Sequence, residues 1–344
     1  MQPTGWFQIA WSLDLKAGEI KPLNYFGSEL VLFRGLDEAV YALDANCQHL
    51  GANLAYGGCV VDDGIQCPFH GWVWSGAGRN VRIPYEARPN RGRRIRSWPV
   101  TEINECIFVW HDVAGRAPLW DLPDWRSVLS DNVVSQRYRT LGAEERELFA
   151  CIKVHPQIVA ENAVDPHHFQ FVHRTPISPV VLAETTDDTT WHAKVGFGNC
   201  WRDGADRPGD TRNAIEIYWS GIGFSHNGEC TADGVGVIAI NATPVDESRS
   251  DIFASYWVSE SDDYTSRLAR PRLHCPTTST SGSTRGTWTR RRWHPQNTAA
   301  SPSCVHGRRA STPHRLRRTA PTGRRLAAEV FQRPFDELEH HAVG

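Results

Sequence analysis

The sequence predicts an α+β protein in two parts. An all-β domain occupies residues 1–112, and an α+β domain with a substantial sheet occupies 113–268. Three observations carry this: short apolar runs closely punctuated by Gly, Asn and Pro over residues 5–112, a helix-like segment around residues 158–172, and strand-like runs that return from residue 213. With 344 residues, 40% hydrophobic content, 14 Trp and 13 Phe, the chain can fill two cores.

In the first domain the apolar runs Leu30–Phe33, Val40–Leu43 and Ile107–Trp110 have strand length, and a turn containing Gly35 separates the first two. Residues 113–125, VAGRAPLWDLPDW, are rich in Pro and Gly and mark the boundary. In the second domain strands are expected over 214–219, 235–240 and 252–258. A third region, 269–344, breaks the pattern. No Asp or Glu stands between Asp263 and Glu329, and Arg, Ser, Thr and Pro crowd the segment without helical or strand period. Composition alone reads it as a disordered basic tail.

Bulk properties exclude several classes. A formal charge of −2 argues against a general nucleic-acid or anionic-membrane binder. No apolar run approaches a membrane span. The opening MQPTGWFQIAW lacks the basic-then-apolar layout of a secretory signal, and nine scattered cysteines make no secreted disulfide framework. A cytoplasmic protein is the expectation.

The chemistry concentrates in CQHLGANLAYGGCVVDDGIQCPFHGW, residues 47–72. Cys47-x-His49 is followed by 17 residues and then Cys67-x-x-His70. Two thiolates and two imidazoles can hold zinc. Zinc fingers, however, usually pair Cys with Cys and His with His. Here each half supplies one of each, which suits a [2Fe–2S] cluster whose two irons take two thiolates and two imidazoles. Cys59, between the halves and without motif spacing, is expected to be a small buried residue. A second candidate site lies in ENAVDPHHFQFVH, residues 161–173. His168 and His173 are five apart, about 140° around a regular helix, so the helix must bend or end between them if both are to face one metal. The spacing alone fits two ordinary histidines near a helix end better than a metal pair.

The first stretch resembles the Rieske domain of ring-hydroxylating oxygenases. Cytochrome-complex Rieske proteins carry an extra cysteine in each ligand loop, joined as a disulfide, where this chain has Ala52 and Phe69. The resemblance therefore points to the oxygenase or ferredoxin branch. Gly76-Ala77-Gly78 followed by Pro84 resembles the proline loop that covers such clusters. Asn162-x-x-Asp165-x-x-His168-x4-His173 resembles the mononuclear iron motif of the same family of Rieske non-haem iron oxygenase alpha subunits. The implied cofactors are a [2Fe–2S] cluster on Cys47, His49, Cys67 and His70, and an Fe(II) on His168 and His173. Asp165, with Asn162 in its motif, would hydrogen-bond between an iron ligand and the neighbouring subunit's cluster histidine. His167 would be a surface or supporting residue. The implied fold is an all-β Rieske domain followed by a catalytic domain with a large antiparallel, helix-grip-like sheet.

The resemblance covers roughly residues 5–268. It is strongest to the ketosteroid 9α-hydroxylase oxygenase group, through Gly5-Trp6, PFHGWVW, Arg96-Ser97-Trp98, FVWHD at 108–112 and residues 242–260. It implies a small hydrophobic substrate, steroid-like or polycyclic, with a smaller aromatic acid or ring compound as the alternative. One oxygen atom of O2 would enter a C–H bond, or two a ring. Neither a GxGxxG nucleotide fold nor a second four-cysteine cluster is evident. Electrons would then come from a separate NAD(P)H reductase, directly or through a ferredoxin. A homotrimer is implied, with electrons crossing between subunits. A Rieske electron carrier and a catalytically dead binding protein are the competing readings.

One ligand is missing. In this group the third iron ligand is an Asp a little over 100 residues past the second His, near 275–295, where this chain has no acidic residue. Permitted codons for residues 269–295, read one nucleotide earlier, can give QAEAALPDDINIWEHQRYMDPPALAP. That string has helix-forming residues, paired acids and a run like the family's ligand helix. The segment 269–344 is therefore expected to be frameshifted from about Ala269–Arg270, with the lost ligand at about Thr278. A natural basic tail is the alternative.

Overall fold

A computed structural model of the chain describes residues 3–62, 64–173, 175–205, 213–231 and 234–260. These all lie within one compact unit. The segment from residue 261, including the frameshift expectation and Thr278, lies outside the described residues.

The first part is all β. Its strands are β1 (Gly5–Trp11), β2 (Ile20–Tyr25), β3 (Ser28–Arg34), β4 (Val40–Asp44), β5 (Cys59–Val61), β6 (Gly64–Gln66), β7 (Val73–Ser75), β8 (Asn80–Arg82), β9 (Ser97–Trp98), β10 (Val100–Ile103) and β11 (Cys106–His111). They form three antiparallel sheets in the orders β1-β11-β10, β2-β3-β4-β9 and β5-β6-β7-β8. The second part holds α1 (Asp131–Val134), β12 (Arg146–Ile152), α2 (Pro156–Val164), α3 (Pro166–Phe171), β13 (Val180–Thr186), β14 (Thr190–Gly196), β15 (Ala214–Ser220), β16 (Phe224–Thr231), β17 (Gly234–Pro244) and β18 (Ser250–Val258). Its seven strands make one sheet, β12-β18-β17-β16-β15-β14-β13, antiparallel throughout. The α+β expectation is met. Among the described residues no helix is long and apolar enough to cross a membrane.

Side-chain alternation sets the layers, because successive strand residues point to opposite faces. On β17, Val237 and Ala239 enter a core shared with the first part, while Ile238, Ile240 and Ala242 enter a second core under α2 and α3. On β3, Leu30 and Leu32 join the shared core, while Val31 and Phe33 face a third core containing Cys47, Cys67, Trp72 and Trp74. The chain thus stacks as core, large sheet, shared core, small sheet, core. Cys47 and Cys67 lie in one outer core, and Phe169, next to His168, lies in the other.

The shared core fixes one part on the other. Gln8, fully buried on β1, accepts from Asn241 Nδ2 at 2.9 Å, and its carbonyl accepts from Thr243 Oγ1. Trp11 Nε1 donates to Ser255 Oγ at 2.8 Å, and Trp257 Nε1 to Glu105 Oε1 at 2.9 Å. These bonds satisfy buried polar groups that cross an otherwise apolar layer.

Within the first part, Arg34 spans β3 and β10 as a two-pronged pair with Glu102, at 2.9 and 2.6 Å, and donates to Leu15 O at 2.7 Å. The Arg34 hydrogen bond is the main cause holding the Glu102 carboxyl below its ordinary range. A lowered carboxylate stabilises the fold above its unfolded pKa and loses that contribution as pH falls. Arg34→Met should therefore cost about 2 kcal/mol at neutral pH. In urea unfolding, the gap between wild type and variant should narrow once pH drops below the ordinary glutamate range.

Candidate metal centres and family

The Cys47 and Cys67 loops repeat one design. Loop one joins β4 to β5, and loop two joins β6 to β7. In each, the cysteine N–H donates to a carbonyl five residues on: Cys47 to Ala52 and Cys67 to Trp72, both at 2.8 Å. In each, a glycine four residues on donates back to the cysteine carbonyl, Gly51 at 2.8 Å and Gly71 at 3.1 Å. Both glycines have left-handed φ, 79° and 67°, which closes the turn without a Cβ clash. At Gly71 a Cβ would also stand 2.8 Å from Pro84 Cγ.

This design buries both cysteines and leaves the histidines at the surface. Cys47 and Cys67 are 2% and 3% exposed, His49 is half-buried and His70 exposed. The rings of His49 and His70 lie 4.8 Å apart, and His49 stacks on Trp72 at 4.5 Å and 5°. Burial pushes the Cys47 thiol pKa up, and hydrogen bonds from the His49 backbone and the Trp74 indole pull against it. Among the described residues no three donors converge on a single ion. Two thiols and two imidazoles in separate pairs fit a dinuclear cluster, in which each iron takes only two protein ligands and sulfide completes it.

Cys59 departs from expectation: it is exposed rather than buried. It sits on β5, the outermost strand of its sheet, opposite Gln66 on β6. An edge strand leaves one side open, so a small side chain there is not enclosed. Sequence reading also passed over Trp74. Its Nε1 donates to Cys47 Sγ at 3.3 Å from a fully buried ring. Hydrogen bonds to cluster sulfurs stabilise the reduced state, because reduction adds negative charge there. Trp74→Phe should accordingly lower the cluster's midpoint potential, measured by EPR-monitored redox titration.

The second site rests on α2 and α3. The expected single helix over 158–172 is instead two, broken at Asp165 (φ −103°, ψ 96°). Pro166 forces the residue before it out of helical geometry and then starts α3. The Asp165 carboxylate caps α3 by accepting from His167 N at 2.9 Å, and its carbonyl accepts from His168 Nδ1. That bond places the His168 lone pair on Nε2, the tautomer suited to a metal. Helix α3 ends at Phe171, so His173 leaves the helical path, as the five-residue spacing demanded. The two rings lie 5.0 Å apart at 72°, His168 9% and His173 2% exposed. Burial lowers both imidazole pKa values, that of His173 to about 4. His167 is exposed, 3.1 Å from Ser178 Oγ, and Asn162 is half-buried on α2. A third ligand for this pair is not found among the described residues.

Comparison with known proteins agrees with this geometry. Residues 5–100 match the Rieske [2Fe-2S] domain, and residues 109–302 match the 3-ketosteroid 9alpha-hydroxylase C-terminal domain. The chain is 36% identical over 178 residues to cholesterol 7-desaturase of Hemicentrotus pulcherrimus, covering 50% of this chain and 35% of that protein. It is 34% identical over 179 residues to a probable 3-ketosteroid-9-alpha-monooxygenase oxygenase component of Rhodococcus rhodochrous, covering 49% and 41%. The matched stretch thus spans well under half the length of these curated relatives. The fold is similar to dicamba monooxygenase solved with non-heme iron and dicamba, at TM-score 0.54 and 21% identity over 78% of this chain and 79% of that one. The chain belongs to the Rieske oxygenases that carry a C-terminal domain of the 3-ketosteroid 9alpha-hydroxylase type.

Proposed function

We propose that the chain is the oxygenase component of a Rieske non-haem iron system that oxidises a steroid-like substrate. The carrying observation is that one chain pairs the Cys47/His49/Cys67/His70 pocket with a second, buried imidazole pair at His168 and His173. A Rieske electron carrier would have no use for the second pair. Bound to that pair, Fe(II) supplies activation of O2. The chain's own residues hold the imidazoles: Asp165 fixes the His168 tautomer, and Phe169 packs beneath both rings. The names of the relatives favour a sterol, for hydroxylation or desaturation.

Electrons come from a separate NAD(P)H reductase, directly or through a ferredoxin, and reach the cluster one at a time. The functional unit is a homotrimer. Two apolar patches support head-to-tail contact: Leu50 and Phe69, each 66% exposed beside the cluster histidines, and Phe171, 79% exposed, with Val164 and Val172 beside the iron pair. Such heterologous contacts generate rings when they close. Within one chain the two sites border different cores on opposite sides of the shared core, which favours transfer between chains. The exposed Asp165 carboxylate is the group assigned to meet a neighbouring copy's cluster histidine.

For the third ligand we propose a frame change near Ala269–Arg270 that removed an Asp at about Thr278. The competing reading, an in-frame basic tail, is favoured by the C-terminal domain match, which runs 34 residues beyond Leu268 to 302. The coding nucleotide sequence over 265–344 separates the two. The function itself is tested by sterol-dependent oxygen uptake with a reductase and NAD(P)H, with the product identified by mass. Cluster reduction without sterol-dependent uptake, in a chain carrying the third ligand, would falsify the oxygenase reading.

A further inference from the structure

Residues 79–96 carry seven arginines: Arg79, Arg82, Arg88, Arg91, Arg93, Arg94 and Arg96. Glu86 is the only acidic residue between Asp63 and Glu102. All seven are exposed, in a chain whose net charge is −2. Among the described residues none forms an ion pair with a carboxylate. Arg79 and Arg94 stand directly opposite each other in an antiparallel bridge. Like charges so placed repel, a cost that an anionic partner removes.

This strap is tied to both cluster loops. Pro84 sits against Gly71, and Tyr85 accepts from Trp72 Nε1 at 2.8 Å. Arg93 donates to the carbonyls of Gln48 and His49, gripping the first loop. The arginine-rich strap therefore contacts both cluster loops. Exposed Tyr85 and Val81 add apolar contact within it. Charge that is unpaired, of one sign and gathered at a redox edge raises the encounter rate with an oppositely charged carrier.

We propose that the strap is the electron-entry face, and that it docks a redox protein whose surface around its own centre is rich in carboxylates. This deepens the proposed function and rests on residues 47–70 holding a Rieske cluster. A second copy of the chain is the competing occupant, and a non-redox polyanion such as nucleic acid is another.

The test is stopped-flow reduction of the full-length, cluster-loaded protein by a strongly acidic [2Fe–2S] ferredoxin as probe, against photoreduced deazariboflavin as a small neutral reductant. The ferredoxin rate should fall steeply with added salt. Arg91→Glu/Arg94→Glu should slow it about 10- to 100-fold at low salt and flatten the salt dependence. Arg91→Gln/Arg94→Gln should lie between. Deazariboflavin reduction, the Rieske EPR spectrum and the oligomeric mass should not change. An unaltered ferredoxin rate and salt slope in both variants overturns the proposal, leaving the arginines to some other polyanion. A change of oligomeric mass also overturns it, because the occupant is then another copy of the chain. Absence of a Rieske spectrum in the wild type instead defeats the reading on which it rests.

Discussion

Cys67→Ser should give a protein with no cluster, its visible absorption lost and bound iron and sulfide near background. Cys67 is 3% exposed in the core beneath the cluster loops, and its N–H is held by Trp72 O. Serine can keep that backbone bond and nearly the same volume. It replaces a soft thiolate by a hard hydroxyl, which holds iron–sulfur clusters poorly. The same substitution at Cys59 is the internal control. Cys59 is exposed on the outer strand β5, so Cys59→Ser should leave iron, sulfide and spectrum intact. If both variants lost the metal equally, the division into two ligands and one bystander would be wrong. Far-ultraviolet circular dichroism of each variant shows whether the sheets survive.

The second large effect concerns the other metal. The chain as written should hold about two irons in the cluster and substoichiometric iron at His168 and His173. Two imidazoles without a carboxylate hold Fe(II) weakly, because a facial triad divides both the charge and the geometry among three ligands. Under the proposed frame change, a gene corrected by one nucleotide near codons 269–270 restores an acidic, helix-forming stretch. Its product should bind about one iron more per chain and gain sterol-dependent oxygen uptake. Full second-site occupancy in the uncorrected chain would contradict the frame-change reading and support an in-frame tail with a different ligand. Because iron content is read apart from activity, a wrong choice of sterol does not obscure the outcome.

Much of this was legible in the sequence, for identifiable reasons. Strands β3, β4, β11, β15, β17 and β18 lie where the apolar runs placed them, because both faces of those strands enter cores. The cluster loops were readable because each half supplies one Cys and one His, and the fold adds the positive-φ glycines that close them. The five-residue gap between His168 and His173 foretold that a helix must end between them, and α3 does end there. What escaped was set by tertiary contact. Whether Cys59 is enclosed depends on β5 being an outer strand, which local sequence does not encode. The break at Asp165 is signalled by Pro166, yet the segment 158–172 was expected as one helix-like stretch. Nothing local marks Trp74, and only the fold brings its indole to a sulfur 27 residues away. The arginines of 79–96 gain meaning only in the fold, where Arg93 and Tyr85 tie their strap to the cluster loops.

The central claim is that residues 47–70 hold a two-thiolate, two-imidazole iron–sulfur cluster. The most direct measurement is EPR with nitrogen hyperfine detection on the chemically reduced protein, alongside iron and acid-labile sulfide analysis. The predicted result is a rhombic Rieske signal coupled to two distinct histidine nitrogens, with iron and sulfide each at about two per chain or more. A colourless protein with one tetrahedral zinc and no sulfide would contradict the account.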